Sequence, residues 1–239
     1  MAIHVASIMA MAVSVADRPA PIRLVIFDFD GTLSDSGGWF LSIVDHLADR
    51  YRFNRVHPAE VEGLRRQSTR EVIRRLAIPR WKLPFIARYV RRLFGQNTHQ
   101  VHLFDGVSEM LAAIAATGVG IAVVSSNSED NARAVLGRDN VARIGWWACG
   151  ASLFGKAPKF RRILAQTGIP VANILSLGDE TRDVDAAREV GIRAGAVLWG
   201  YANPEAFAHL RPDIAFDSPA AVVAHVIEHA ATHGASSPP

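Results

Sequence analysis

The sequence predicts an α/β protein in which a doubly wound parallel sheet carries an inserted, all-helical segment. Three observations lead there. Short unbroken apolar runs, such as Leu24 to Phe27 and Ile174 to Leu177, read as strands covered on both faces, because a parallel strand buried between helices need not alternate. After residue 104 these runs alternate with segments of helical period, the pattern of β-α-β units. Residues 36 to 103, by contrast, show helical period and no strand-like run.

Taken in order, the first strand is LVIF, followed at once by DFDGTLSDS. Trp39, Phe40, Ile43, Val44 and Leu47 then recur at helical spacing through Tyr51. Pro58 starts a second helix, and Ser68 to Glu71 matches a capping box that opens a third through Leu76. A fourth runs from about Lys82 to Phe94, with Phe85, Tyr89 and Leu93 on one stripe that is expected to pack. In the second half, a helix from Val107 stops at Gly118, a strand spans Val119 to Val124, and SSN follows. Next come a helix from Glu129, a strand near Trp146 to Cys149, a helix after Lys156, and the strand Ile174 to Leu177 ending in GDETRD. A helix to Val190, a strand from Ala194 to Leu198 and terminal helices close the domain. The division expected is therefore a leader over 1–21, a core over 22–35 and 104–231, a helical insertion over 36–103 and a tail over 232–239.

Composition narrows the classes. One cysteine among 239 residues excludes an internal disulfide framework and suits a reducing cytosol, so a cytoplasmic location is expected. No apolar run reaches the roughly 18 residues of a membrane span. The small, apolar N-terminal stretch has no Lys or Arg ahead of it, which favours a flexible leader, or a start at Met9 or Met11, over a secretory signal. Net charge is only +3, yet between Ser36 and Gln100 there are 13 Lys or Arg against 5 Asp or Glu. That insertion would attract an anion. A small anionic substrate is therefore expected and nucleic acid is not; the oligomeric state stays open.

Asp28 ends the first strand, at the edge of an open α/β sheet where ligands bind. Asp30, two residues on, can face the same ligand. Neighbouring carboxylates repel, so a site holding both calls for a cation, a shared proton, or both. In this setting DFDGTLSDS resembles the first motif of the haloacid dehalogenase superfamily, most of whose members are magnesium-dependent phosphatases. The resemblance implies a Rossmann-like core, with residues 36–103 as a helical cap. Leu198 to Tyr201, LWGY, further resembles the end of the core in phosphoglycolate phosphatase-like members.

What the resemblance implies for the site follows residue by residue. Asp28 would be the nucleophile and Asp30 the general acid and base. Ser125, with Ser126 and Asn127, would hold phosphate oxygens. Lys156 would offset charge, with Lys159 as its competitor. Asp179 and Asp183 in GDETRD would bind or support Mg²⁺ together with Asp28 and Asp30, the latter through its carbonyl, with Glu180 a weaker candidate. Such a set suits hydrolysis of a small phosphate monoester through an aspartyl phosphate, because a carboxylate nucleophile divides a very slow reaction into two steps. A 2-haloacid dehalogenase needs neither proton donor nor Mg²⁺, so Asp30 and Asp179 speak against it; a phosphomutase is the other alternative on this fold. From a different class, a non-catalytic protein could use the basic cap to hold a partner. Arg65, Arg66 and Arg70 flank the entry to the third helix and are candidates for reading an acidic leaving group. His225 to His229 matches HxxEH, a metalloprotease pattern, but lies on the last helix and reads as a solvated face.

Overall fold

A computed structural model describes residues 20–67, 69–151, 155–207 and 210–230. Ser68 of the expected capping box, most of the leader and the tail lie outside them. The core strands are β1 (Leu24–Phe27), β4 (Gly120–Val124), β5 (Trp146–Ala148), β6 (Ile174–Gly178), β7 (Arg193–Val197) and β8 (Ile214–Phe216), while β2 (Ser34–Asp35) and β3 (His102–Leu103) form a separate pair. The core strands form one parallel sheet in the order β5-β4-β1-β6-β7-β8. The chain winds outward from β1 first through β4 and β5 and then through β6, β7 and β8. The order therefore reverses at β1, which puts the ligand crevice at its carboxyl end.

Alternate residues of each strand enter opposite layers. Val25, Phe27, Ile121, Val123, Leu175 and Leu177 meet α5 (Val107–Ala116), α6 (Glu129–Arg143) and α9 (Pro219–His229). Leu24, Ile26, Ala122, Val124 and Ile174 meet α7 (Ala157–Thr167) and α8 (Thr181–Glu189). These runs are buried on both sides, which is why they lack alternation.

The insertion holds α1 (Gly37–Tyr51), α2 (Val61–Arg65), α3 (Thr69–Arg75) and α4 (Leu83–Gln96). Trp39 and Phe94 anchor it to the core, the Phe94 ring centroid lying 4.9 Å from that of Trp39 and 6.3 Å from that of Phe29. Its two crossings into the core pair as a small antiparallel ladder, β2 (Ser34–Asp35) with β3 (His102–Leu103).

Three expectations need correction. The C-terminal segment contains β8 as well as helix; its three residues form an edge too short to show a period. The β2 and β3 pair was also unforeseen, for the same reason. The aromatic stripe of α4 packs only in part: Phe94 is buried and Tyr89 and Leu93 half-buried, while Phe85 and neighbouring Trp81 are 60% and 68% exposed. The helix enters the core by its C-terminal end, whereas at its start Leu83 is half-buried and α1 is met through Tyr51, leaving the Phe85 ring outside.

Candidate active site

Four strand ends converge at the reversal point. β1 ends in Asp28, buried, with its N–H bonded to the Leu177 carbonyl at 2.8 Å as the last rung of the ladder to β6. Asp28 Oδ1 accepts from the Phe29 N–H at 2.7 Å, and Oδ2 lies 2.6 Å from Lys156 Nζ. Lys156, at the N-terminus of α7, is itself buried and also meets Asp183 Oδ1. Asp183 sits in the first turn of α8, where its Oδ2 accepts from the Glu180 N–H at 3.1 Å in a capping box, so the carboxylate turns back toward β6.

Asp179, fully buried after β6, is held from two sides. Thr32 Oγ1 donates to Oδ1 at 3.2 Å and the Tyr201 N–H to Oδ2 at 2.9 Å. Gly31 turns the chain at φ +80°, and a Cβ there would lie 2.1 Å from Asp179 Oδ2. Glycine is thus required both for the turn and for the close approach.

Asp28, Asp179 and Asp183 each bring a carboxylate oxygen within 4.8 Å of the others. Burial and mutual repulsion raise the proton affinity of Asp28 and Asp179. Burial, with the nearby charge of Asp183 and against the pull of Lys156, lifts Asp28 to about 7. Burial and the charges of Glu180, Asp28 and Asp183 push Asp179 well above the usual carboxylate range. Lys156 goes up despite its burial, because Asp183 and Asp28 hold its proton. The donor set is what a hard divalent cation requires: carboxylate oxygens, too few to fill a coordination sphere, in a place where they need neutralising.

Asp30 stands beside this cluster. Ser36 Oγ donates to its Oδ1 at 2.8 Å, and Asn127 Nδ2 lies 3.4 and 3.3 Å from its two oxygens. Burial raises its pKa, with Ser36 and Asn127 opposing. Ser125 is buried after β4 and its Oγ accepts from the Asn127 N–H at 2.9 Å; Ser126 is exposed. Lys159 instead donates to the carbonyls of Ser125 and Gly150, and burial together with Lys156 lowers its pKa to about 8. Of the two lysines, Lys156 is the one brought to the carboxylates.

The cap arginines are placed differently from one another. Arg65 donates through Nε to the Tyr201 carbonyl at 2.9 Å and through Nη2 to Gly200 at 3.2 Å. Arg66 lies 3.7 Å from Glu205, and Arg70 is exposed. Toward the end of α9 the His225 and His229 rings lie 4.2 Å apart at a tilt, His229 Nδ1 lies 2.9 Å from the His225 carbonyl, and His225 meets the Phe216 ring of β8 edge-on. Among the described residues, the acid cluster at the strand ends is the grouping able to hold a metal. Sequence reasoning missed Thr32, Ser36 and Tyr201 as parts of the site. Thr32 and Ser36 lie within DFDGTLSDS and Tyr201 within LWGY, so position in a motif was the available signal.

Residues 25–197 match the family model of the haloacid dehalogenase-like hydrolases. The chain belongs to that family. It is 31% identical over 199 residues to a phosphoglycolate phosphatase of Synechococcus elongatus, covering 83% of this chain and 94% of that protein. It is 30% identical to the tyrosine-protein kinase PtkA of Mycobacterium tuberculosis, over 77% of this chain and 64% of that one. Among solved structures, a haloacid dehalogenase-like hydrolase from Streptococcus pneumoniae superposes with a TM-score of 0.72 at 16% identity, covering 85% of this chain and 98% of the other. This haloacid dehalogenase-like hydrolase is thus phosphoglycolate phosphatase-like and a phosphatase in kind. No helix among the described residues is long and apolar enough to cross a membrane.

Proposed function

We propose that this phosphatase is Mg²⁺-dependent and hydrolyses a small phosphate monoester through an aspartyl phosphate on Asp28. The observation that carries the proposal is the pairing of Asp28 Oδ2 with Lys156 at 2.6 Å inside the acid cluster, with Asp30 alongside on separate hydrogen bonds. Two carboxyl groups two residues apart thus have two environments, one facing cations and one facing neutral donors, which suits two roles.

In the first step an Asp28 oxygen attacks phosphorus, the P–O ester bond breaks, and the Asp30 proton passes to the leaving alkoxide. In the second, ionised Asp30 takes a proton from water, the water oxygen attacks phosphorus, and phosphate leaves with Asp28 restored. Ser125 Oγ, which accepts from Asn127, keeps its own proton to donate to a phosphate oxygen. Asp28, Asp179 and the Asp30 carbonyl would hold Mg²⁺, with Asp183 supporting from behind because its oxygens already serve Lys156 and the Glu180 N–H. Bound there, the cation supplies neutralisation of phosphoryl and carboxylate charge.

The relative from Synechococcus suggests a phosphorylated small hydroxy acid as substrate, 2-phosphoglycolate first, and a basic cap suits that charge. The cap arginines are proposed to contribute, Arg70 and Arg66 directly and Arg65 through the core loop it grips. The test is phosphate release from a panel of monoesters with and without Mg²⁺, with acid-quench trapping of phosphorylated enzyme. Turnover in chelator, or no acid-stable phosphoenzyme from any substrate turned over, would overturn the mechanism.

A further inference from the structure

Tyr201 touches both halves of the machinery without being one of its acids. Its N–H fixes Asp179 Oδ2. Its hydroxyl donates to Ser36 Oγ at 3.1 Å and lies 3.3 Å from the Ser34 carbonyl, and Ser36 Oγ in turn donates to Asp30 Oδ1 at 2.8 Å. One residue therefore fixes Asp179 through its main chain and reaches Asp30 through its side chain and one intervening hydroxyl.

The ring is built into that position. A Cβ on Gly37 would lie 2.5 Å from Tyr201 Cε1, so the helix α1 starts with the residue that leaves room for the ring. The Phe104 ring lies 6.5 Å away at a tilt. From the cap, the Arg65 guanidinium bridges the carbonyls of Gly200 and Tyr201, the Asn203 N–H returns a bond to the Arg65 carbonyl at 2.9 Å, and Asn203 Nδ2 reaches Glu62 at 3.3 Å. Such a planar fork on two consecutive carbonyls constrains orientation as well as distance. The cap end of α2 and the start of α1 thus meet on the same tyrosine.

We propose that Tyr201 is a positioning residue: held by Arg65, it sets the orientation of Asp30 through Ser36. The proposal rests on the assignment of Asp30 as general acid made above. A carboxyl group that must deliver its proton to one oxygen of a bound ester is sensitive to such alignment, since small misplacements of reacting groups cost large factors in rate. Asn127 Nδ2 reaches both oxygens at 3.4 and 3.3 Å, whereas Ser36 bonds Oδ1 alone, so the Tyr201–Ser36 chain distinguishes the two oxygens and fixes the turn of the carboxyl group.

The experiment compares full-length wild type, Tyr201→Phe, Ser36→Ala and the double variant on an alkyl phosphate and on p-nitrophenyl phosphate, with Asp30→Asn as control and saturating Mg²⁺ throughout. Removal of the hydroxyl should lower kcat on the alkyl ester about tenfold, the rate equivalent of one hydrogen bond, with KM little changed. The transfer step on p-nitrophenyl phosphate, whose leaving group needs little protonation, should change less than about twofold by the same reasoning. The Mg²⁺ requirement should stay constant in Tyr201→Phe because the N–H to Asp179 remains. The double variant should be no slower than the slower single one, since both act along one path. Arg65→Ala should give a weaker version of the same substrate split. Equal losses in the transfer step on both esters, or none on the alkyl ester while Asp30→Asn is selectively slow there, would overturn the role of Tyr201 alone. An Asp30→Asn variant whose transfer step is slowed equally on both esters would overturn the general-acid assignment and this inference with it.

Discussion

Replacing Lys156 by Met keeps the aliphatic stem and removes the ammonium group from between Asp28 and Asp183, leaving two buried carboxylates beside a third with no cation of the chain between them. Breaking a buried pair by removing one partner costs roughly 3–5 kcal/mol. At about 2–4 °C per kcal/mol for a chain of this size, the melting temperature should fall by roughly 6–20 °C at pH 7.5 in chelator. The sign of the pH dependence follows from the carboxyl groups. Asp28 already stands at about 7, above its unfolded value, and losing Lys156 moves it further in that direction. A carboxyl group with a raised folded pKa contributes most below its unfolded pKa and loses that contribution as pH rises through the folded value. The deficit of Lys156→Met should therefore be small at pH 5 and grow toward pH 8. Lys159→Met is the control: its ammonium meets carbonyls, and with a pKa of about 8 it does not titrate between 5 and 7, so its deficit should be flat there. Thermal melts across pH and phosphate release at pH 7 are the assays, with turnover of Lys156→Met expected to be lost. A melting temperature within 2 °C of wild type at pH 7.5, or a deficit that grows on acidification, would refute the reasoning.

Asp28→Asn should fold, melt near wild type and lose at least ~10³ in turnover, with no acid-stable phosphoenzyme; comparable turnover would remove Asp28 as nucleophile. Chelation should abolish activity, and Asp179→Asn should raise the Mg²⁺ concentration needed for half-maximal rate; an unchanged requirement would place the metal elsewhere. Because Asp28 and Asp179 hold protons more firmly than ordinary carboxyl groups, Mg²⁺ should raise the melting temperature more at pH 7.5 than at pH 5, where the ligands are protonated; an equal rise at both would show binding outside the cluster. Arg70→Ala should lower kcat/KM about tenfold on the ester of an acidic alcohol and leave p-nitrophenyl phosphate unaffected, as loss of a charge-assisted bond would; equal effects on both would leave Arg70 without a part in specificity.

Much of the core was legible because its signals are local. LVIF, the run ending at Val124 and the strand before GDETRD are each buried on both faces, and each is followed by its polar residues within three positions. Elements of two or three residues, β2, β3 and β8, carry no period and exist only through pairing with distant partners. The choice between Lys156 and Lys159 was illegible for a related reason. Both lie at the start of one helix, and only the positions of Asp28 and Ser125 in space decide which side chain meets carboxylates and which meets carbonyls. Arg65 shows the same limit: its sequence neighbourhood is basic and exposed, while its partners, Gly200 and Tyr201, are 135 and 136 residues away.

Charge explains why these distant parts must close on one another. When ionised, Asp28, Asp179 and Asp183 outnumber Lys156 and the nearby Arg182, so the strand ends by themselves then present net negative charge to an anionic ester. A phosphate group can settle there only with further positive charge, and two sources act over different ranges. The cap, with 13 Lys or Arg against 5 Asp or Glu between Ser36 and Gln100, raises the local concentration of anions over about a Debye length, 8–10 Å at moderate salt. A divalent cation held by the carboxylates would act at contact and would make metal and substrate binding mutually favourable, since each relieves repulsion that opposes the other. The cap's attraction is weakened by salt and the contact term much less so. Rising ionic strength should therefore raise KM for an acidic substrate while leaving kcat, which depends on groups already in contact, nearly constant.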